Sequence, residues 1–303
     1  MTNEVIHDAA SVGAAAPAAP PSPDGEPWTT VIRPTASWLD IRLGELWLYR
    51  DLIWFLVRRN FVAQYKQTVL GPLWYLIQPL LSTIIFTIIF GELAGIPTDG
   101  VPPFLFYMAG NVLWKYFADS LSKTSNTFVS NAQLFGKVYF PRLAVPISVL
   151  ATNLIGFAIS FAFFLGFLGY FMLRGAPVGP NAWAALLPIQ LLIMAGLGMG
   201  MGLAASAVTA RYRDVTQLVS FGVALLMYAT PIVWPLSEVP ERYLLVALAN
   251  PITPLVETFR YSFLGAGTVS FVHLSYSSAM AVLFLALGVT IFQRVERTFQ
   301  DTV

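Results

Sequence analysis

One short motif in this sequence has part of the chemistry needed to hold nucleotide phosphates. The phosphate loop of ATPases reads G-x-x-x-x-G-K-[ST], in which backbone N–H groups surround the phosphates and the lysine contacts them. The only Gly-Lys pair is Gly136–Lys137. Asn131 occupies the position of the first glycine, and Val138 occupies the position of the Ser or Thr. Because both positions are wrong, the sequence predicts that this chain does not bind ATP in that way.

Few other side chains could act as nucleophiles or metal ligands. The chain has no cysteine, which excludes disulfides, thiolate catalysis and Cys-ligated metals. Its two histidines, His7 and His273, lie far apart in the sequence, so a histidine metal site or a Ser-His triad has almost nothing to be built from. A net charge of +1 provides no general attraction to nucleic acid, which we do not expect as a partner.

Charged residues with helical spacing are the remaining candidates for chemistry. Lys115 and Asp119 are four residues apart, which places them on one face of a helix. They form either a mutually neutralised pair near the inner end of that helix or a polar point on a substrate path. A single such pair is weak support for an ion-driven pump, which usually has carboxylates or histidines within its spans.

The elements that must position these residues follow from composition. Of the 303 residues, 56% are hydrophobic and only 11% are charged, with a mean hydropathy of +0.68, whereas soluble domains have about 25% charged residues. The bilayer must therefore be the solvent for most of the chain. We predict an all-α polytopic membrane protein with six transmembrane helices, near residues 70–90, 103–123, 144–173, 183–209, 214–235 and 270–293.

The distribution of Lys and Arg predicts the orientation of these spans. With the N-terminus in the cytoplasm, thirteen of the basic residues lie inside, three lie outside, and Lys115 falls within a span. Both termini are therefore predicted to be cytoplasmic.

The sequence Ala-Gly-Leu-Gly-Met-Gly-Met-Gly in the fourth span contains Gly198 and Gly202 in a G-x-x-x-G pattern, which favours close helix packing over a ligand role.

The chain divides into three regions. Residues 1–27 are rich in Ala and Pro and contain no Lys or Arg, which predicts a disordered cytoplasmic tail and not a secretory signal. Residues 28–69 form an interface segment, and residues 70–303 form the transmembrane domain. Within the interface segment, the stretch 44–67 mixes Leu, Trp and Phe with basic residues, which predicts an amphipathic helix on the inner membrane surface; its site residues are Arg50, Arg58 and Arg59. A basic flank before the first span is the alternative.

The outer segment 236–269 is too broken to cross the bilayer. Pro251 and Pro254 separate two short apolar stretches, which predicts two short re-entrant helices at about 239–264. Glu257 and Arg260 share one face of the second helix, and we expect them near the water–lipid boundary. They either help to hold an outer gate closed or only solubilise an outer loop.

Four blocks of this sequence together resemble one family of membrane proteins. They read RNFVAQYKQTVLGPLWYLIQPLLSTIIFTIIFG, SNAQLFGKVYFPRLAVP, RYRDVTQLVSFGVALLMYATPIVWP and ANPITPLVETFRYSFLG. In this order and spacing they resemble the membrane subunit of ABC-2-type polysaccharide exporters, which export O-antigen, capsule or teichoic-acid chains. The resemblance covers about residues 45–295. It implies a non-enzymatic transport subunit in the cell inner membrane.

The resemblance also implies partners and a coupling segment. Two copies of this chain, surrounded by membrane lipids, would form a transmembrane pore. Two copies of a separate ATPase subunit would bind ATP and Mg²⁺. The cargo would be a polysaccharide on a lipid carrier. A short cytoplasmic helix of the family inserts into the ATPase and maps to Asn131–Arg142. Its apolar and basic residues suit a partner pocket, although an interfacial anchor is the alternative; they are Phe135, Lys137, Val138, Tyr139, Phe140 and Arg142. The interface helix of the family maps to 44–62 and its outer gate to 239–264.

Aromatic residues, 14% of the chain, are candidates for contact with sugar rings. Aromatics also gather at both membrane interfaces for physical reasons, so belt or packing roles remain the alternative. The channel candidates are Trp74, Tyr107, Trp114, Tyr116, Phe117, Tyr228 and Trp234.

A transporter of the same family with a lipid or drug cargo is the second interpretation of function. A membrane glycosyltransferase would need acidic groups that the inner loops almost lack, and a secondary transporter is disfavoured for the reason given above.

Overall fold

The computed structural model describes residues 43–66, 68–135, 140–212 and 214–300, and every regular element within these ranges is a helix. The predicted tail, residues 1–27, lies outside the described residues. The helices are α1 Leu43–Leu48, α2 Arg50–Tyr65, α3 Trp74–Phe86, α4 Pro103–Ser125, α5 Thr127–Phe135, α6 Ala144–Leu173, α7 Leu187–Thr209, α8 Val215–Tyr228, α9 Glu241–Ala249, α10 Thr253–Leu264 and α11 Phe271–Gln300. Short 3₁₀ turns precede α3 and α7, and a π-helical stretch, Thr87–Leu93, continues α3.

Within the part of the chain that the structure describes, four helical segments are long and apolar enough to cross a membrane. They match the first, third, fourth and sixth predicted spans and run Gly71–Leu93, Ala144–Leu173, Ala182–Thr209 and Phe271–Val295. The second predicted span corresponds to α4, which has the length of a span but contains Lys115, Asp119 and Lys123. The all-helical membrane fold is confirmed, whereas the number of six spans stays a prediction.

The fifth predicted span is shorter than the hydropathy suggested. The prediction was 214–235, but α8 ends at Tyr228 after 14 residues. At about 1.5 Å per residue it measures about 21 Å, less than the hydrocarbon core of about 30 Å. Pro231 provides the reason, because proline donates no N–H and disfavours helical backbone in the residue before it. The apolar residues that follow, up to Trp234, form turns instead.

Helix α4 lies at the centre of the packed bundle. Most of its residues are buried, and it contacts α3, α6, α7, α8 and α10. The glycines of α7 allow two close helix contacts. A Cβ on Gly202 would come within 2.7 Å of the Cβ of Thr124 on α4, and a Cβ on Gly200 would overlap the main chain of Phe284 on α11. The predicted packing role of this glycine pattern is therefore confirmed.

The inner helix predicted at 44–62 is divided in two. Tyr49, with φ −91° and ψ 17°, separates α1 from α2. Leu56 and Val57 of α2 are buried, and α2 packs against α6. Trp47, Trp54 and neighbouring apolar side chains are exposed on the opposite side. An exposed aromatic face beside arginines is typical of a helix that lies in a membrane interface.

Candidate functional site

A polar cleft opens where α2, α3 and α4 meet, and its cavity has a volume of about 260 Å³. Its lining combines two amides, two aromatic rings and one ammonium group: Gln64, Trp74, Tyr75, Gln78 and Lys115. A smaller cavity lies next to it and shares Tyr75 and Lys115. In this group the sequence pointed to Trp74 and Lys115, and to Tyr75 as an aromatic at the start of the first span, but not to Gln64 or Gln78. A glutamine within the apolar helix α3 was the signal that could have found Gln78.

Local sequence positions the cleft residues. Gly71, with φ +51°, and Pro72 start the short helical turn that leads into α3 and places Trp74 at the mouth of the cleft. The ring of Tyr75 lies on Gly156 of α6, where a Cβ would overlap it. The Tyr75 hydroxyl donates a hydrogen bond to Oε1 of Gln64 at 3.3 Å, and the hydroxyl of Ser160 donates to the Tyr75 carbonyl at 2.9 Å.

The predicted ion pair lies beside this cleft. Lys115 Nζ is 3.3 Å from a carboxylate oxygen of Asp119, and both side chains are partly exposed. Lys115 lines the cleft, and both residues line the neighbouring cavity. Lys123, further along α4, donates to Oδ1 of Asn153 at 2.9 Å and lies 3.5 Å from Gln64. The structure thus brings the pair into a polar network where amides and charges can bind hydroxyl groups.

The seven channel candidates do not share one surface. Tyr107, Trp114, Tyr116 and Phe117 all lie on α4 and are at most 5% exposed, because neighbouring helices cover this central helix on most sides. In this structure these four pack in the core and offer almost no surface to a ligand. The other three, Trp74, Tyr228 and Trp234, are at least partly exposed. Trp74 lies at the cleft, and the Trp234 indole donates to the carbonyl of Tyr228 at 3.1 Å.

The Glu257–Arg260 pair is buried in the protein core, so it does not serve to solubilise an outer loop, and its depth relative to the water–lipid boundary stays a prediction. Both side chains are at most 3% exposed, and their closest charged atoms are 3.5 Å apart. Arg260 donates to the carbonyl oxygens of Pro231 at 2.5 Å and Ile232 at 2.6 Å. Its guanidinium lies 3.6 Å from the ring centroid of Phe106 on α4. The carbonyls of Pro231 and Ile232, in the turn after α8, thus accept hydrogen bonds from the buried Arg260 guanidinium.

Further contacts join the two short outer helices to the bundle. The backbone N–H of Thr268, before α11, donates to Glu257 at 3.3 Å. The amide of Asn250, between α9 and α10, donates to the hydroxyl of Thr230 at 2.8 Å. Pro251 lies in the turn between the helices, and Pro254 lies in the first turn of α10, as the sequence predicted. The two helices thus exist near their predicted positions, and α10 is almost wholly buried.

Only part of the predicted coupling segment is described. Lys137, Val138 and Tyr139 lie outside the described residues. Phe140 and Arg142 are buried, and Phe135 is partly buried. The rings of Phe135 and Phe140 are 5.8 Å apart, and Phe140 packs in a cluster with Leu56 of α2. Phe135 and Phe140 therefore pack toward the inner helix in the single chain, and the contact of this segment with a partner stays a prediction.

The three interface arginines have different environments. Arg50 and Arg58 are exposed, and the Arg50 guanidinium lies 5.7 Å from the ring of Trp47. Arg59 is partly buried and donates to Oδ1 of Asn131 on α5 at 3.4 Å. This bond connects the inner helix to the start of the predicted coupling segment.

Comparison with known proteins gives consistent results. A family model described as "ABC-2 type transporter" matches residues 51–264. The chain is also similar to two proteins from Klebsiella pneumoniae and one from Myxococcus xanthus, each named "O-antigen export system permease protein RfbA". The identities are 25% over 255 residues, 26% over 253 and 28% over 265, respectively. The matched regions cover 83%, 83% and 86% of this chain and 94%, 94% and 98% of those proteins.

Proposed function

This chain belongs to the ABC-2 type transporter family, and we propose that it is the transmembrane subunit of an exporter that moves a lipid-linked polysaccharide across the inner membrane. The observation that carries the proposal is the similarity to O-antigen export permeases along most of both chains. The resemblance of the four sequence blocks supports the same cargo class. The apolar spans support a role within the membrane and not at its surface.

A separate ATPase supplies the energy in this proposal. The Gly136–Lys137 pair is not a phosphate loop, so ATP and Mg²⁺ belong to two ATPase copies that dock from the cytoplasm. The coupling segment Asn131–Arg142 is the docking element. The buried Phe140 and the Arg59–Asn131 bond support this role, because both join the segment to α2 and would transmit movement to it.

The membrane part has six spans and cytoplasmic termini in this proposal, with a second copy completing the pore. Helix α4 counts as a span because its Lys115 and Asp119 are paired and lie against protein, which lowers the cost of charge within the bilayer. Helix α8 crosses together with the turns that follow it. Helices α9 and α10 are re-entrant and close the outer side. Trp74, Tyr228 and Trp234 remain the channel candidates.

The test is deletion of the gene in its native host, with complementation and measurement of surface and intracellular glycan. We expect deletion to leave the polysaccharide inside the cell, and the wild-type gene to restore export. Inactivation of the partner ATPase should give the same phenotype as deletion. Normal surface glycan with an altered lipid or drug content would favour the second cargo class. Loss of polymer synthesis would indicate an enzyme, and export that survives ATPase inactivation would indicate a secondary transporter.

A charge reversal tests the docking element within the same system. Lys137→Glu should abolish co-purification of the ATPase and export, while the amount of this chain in the membrane stays unchanged. Arg174→Glu, on the predicted outer side, is the matched control and should affect neither. Equal co-purification in the two variants would remove the coupling assignment.

A further inference from the structure

The exposed face of α3 has a feature that lipid does not accommodate well. Gln78 lies within the largely apolar helix α3 and is exposed. Its side chain makes no hydrogen bond to any other residue that the structure describes. Moving an amide from water into hydrocarbon without a hydrogen-bond partner costs on the order of several kcal/mol of free energy. Polar groups in spanning helices therefore face protein or water-filled cavities. Since Gln78 lines the cleft, the cleft is wet or occupied by a polar ligand.

The cleft has the mixture of groups that suits a sugar ring. Trp74 lines the cleft and is 39% exposed. The face of an aromatic ring has negative charge density, which attracts the C–H groups of a pyranose. The amide of Gln78 supplies donors and an acceptor for hydroxyl groups, whereas Gln64, whose Oε1 already accepts from Tyr75 and Lys123, supplies its N–H donors. The cavity volume of about 260 Å³ is below the range of about 300–1,000 Å³ for drug-sized ligands. It therefore suits one ring and not a lipid tail.

Charge in the cleft favours a neutral ligand. Among the residues that the structure describes, Lys115 is the only charged one that lines the cleft, and Asp119 compensates that charge at 3.3 Å. The adjacent Lys123 does not line the cavity, and its ammonium group donates to Asn153. A paired ammonium still donates hydrogen bonds to hydroxyl groups, but it attracts a phosphate less than a free ammonium does.

We propose that the cleft lined by Gln64, Trp74, Tyr75, Gln78 and Lys115 binds one neutral pyranose ring of the exported chain. The ring packs on Trp74, and its hydroxyls bond to the two amides and Lys115. The assignment rests on the proposed function for the source of the sugar. In the proposed topology the cleft lies toward the cytoplasmic end of α3, so it holds the ring near the opening through which the chain is loaded.

Saturation-transfer NMR on the full chain in nanodiscs tests this assignment directly. The probes are the methyl pyranosides of glucose, mannose, galactose and rhamnose, with inorganic pyrophosphate as an anionic competitor. We expect transfer to ring protons of at least one glycoside and no loss of it with pyrophosphate. Gln78→Leu and Trp74→Leu should each reduce the transfer at least about fivefold, the loss expected when one good polar or aromatic contact of about 1 kcal/mol is removed.

Two further variants separate binding from folding. Trp74→Phe keeps an aromatic face and should retain most of the transfer. Tyr170→Leu removes an aromatic that is 48% exposed on α6, away from the cleft, and should behave as wild type. No transfer to any glycoside, equal transfer in Gln78→Leu, or displacement by pyrophosphate would each overturn the assignment. If the deletion strain lost export while no glycoside bound, the sugar site alone would fail; if export were unaffected by deletion, the proposed function would fail.

Discussion

Replacement of Arg260 by methionine removes the buried cation that joins α10, α4 and the end of α8. The change leaves Glu257 in the core without its cationic partner, and breaking a buried pair in this way costs about 3–5 kcal/mol. It also leaves the carbonyls of Pro231 and Ile232 without their side-chain donor, at about 1–3 kcal/mol each if no water replaces it. These terms are not additive. We therefore expect a loss of at least about 4 kcal/mol, which lowers the melting temperature by on the order of 10 °C.

The assay is thermal unfolding of the purified chain in nanodiscs, followed by intrinsic fluorescence. Arg242→Met is the matched control, because Arg242 lies on α9 with its guanidinium exposed and 4.7 Å from the ring of Tyr243. An exposed substitution of this kind changes stability by about 0.5 kcal/mol or less. Equal melting temperatures for the two variants would refute the structural role of the buried arginine.

A double-mutant cycle distinguishes the ion pair from the carbonyl contacts. Glu257→Gln removes the negative charge and leaves Arg260 bonded to Pro231 and Ile232, so it should cost less than Arg260→Met. In the double variant no charge remains unpaired in the core. Its cost should therefore be smaller than the sum of the two single costs by more than about 1 kcal/mol. Strictly additive costs would mean that the pair, at 3.5 Å, contributes no coupling.

Two further outcomes follow from helix packing, and a third follows from the missing phosphate loop. Gly200→Ala should strongly reduce the yield of folded chain, because a Cβ there overlaps the main chain of Phe284. Gly196→Ala is the control and should be tolerated, since the nearest atom to its Cβ is 3.4 Å away. The yield of folded chain from size-exclusion chromatography compares the two variants. Phe140→Asp should destabilise the chain by about 3 kcal/mol or more by placing a charge beside Leu56, and a variant that melts like wild type would contradict this. The purified chain alone should hydrolyse no ATP, and vanadate-sensitive phosphate release without a partner would refute that.

Sequence and structure agree most closely in where the long helices begin and end. Helix α6 was predicted at 144–173 and runs Ala144–Leu173, and α4 was predicted at 103–123 and runs Pro103–Ser125. A run of apolar residues is a local property, so the sequence reveals it directly. Prolines near helix starts, such as Pro254, are local in the same sense. Family membership was also recognisable, because it depends on the order of short blocks.

Burial and partner choice depended on residues far apart in the chain. The sequence shows that Glu257 and Arg260 share a helix face, but the carbonyl of Pro231 is 29 positions from Arg260. Aromatic residues occur on several faces of helix α4, so hydropathy alone does not show which of them are buried. The helices that surround α4 determine that Phe117 is covered. Gln64 and Gln78 come together in one cleft because α2 folds back on the bundle. Local hydropathy determines where helices form, whereas the face that a helix buries is determined by distant segments that pack against it.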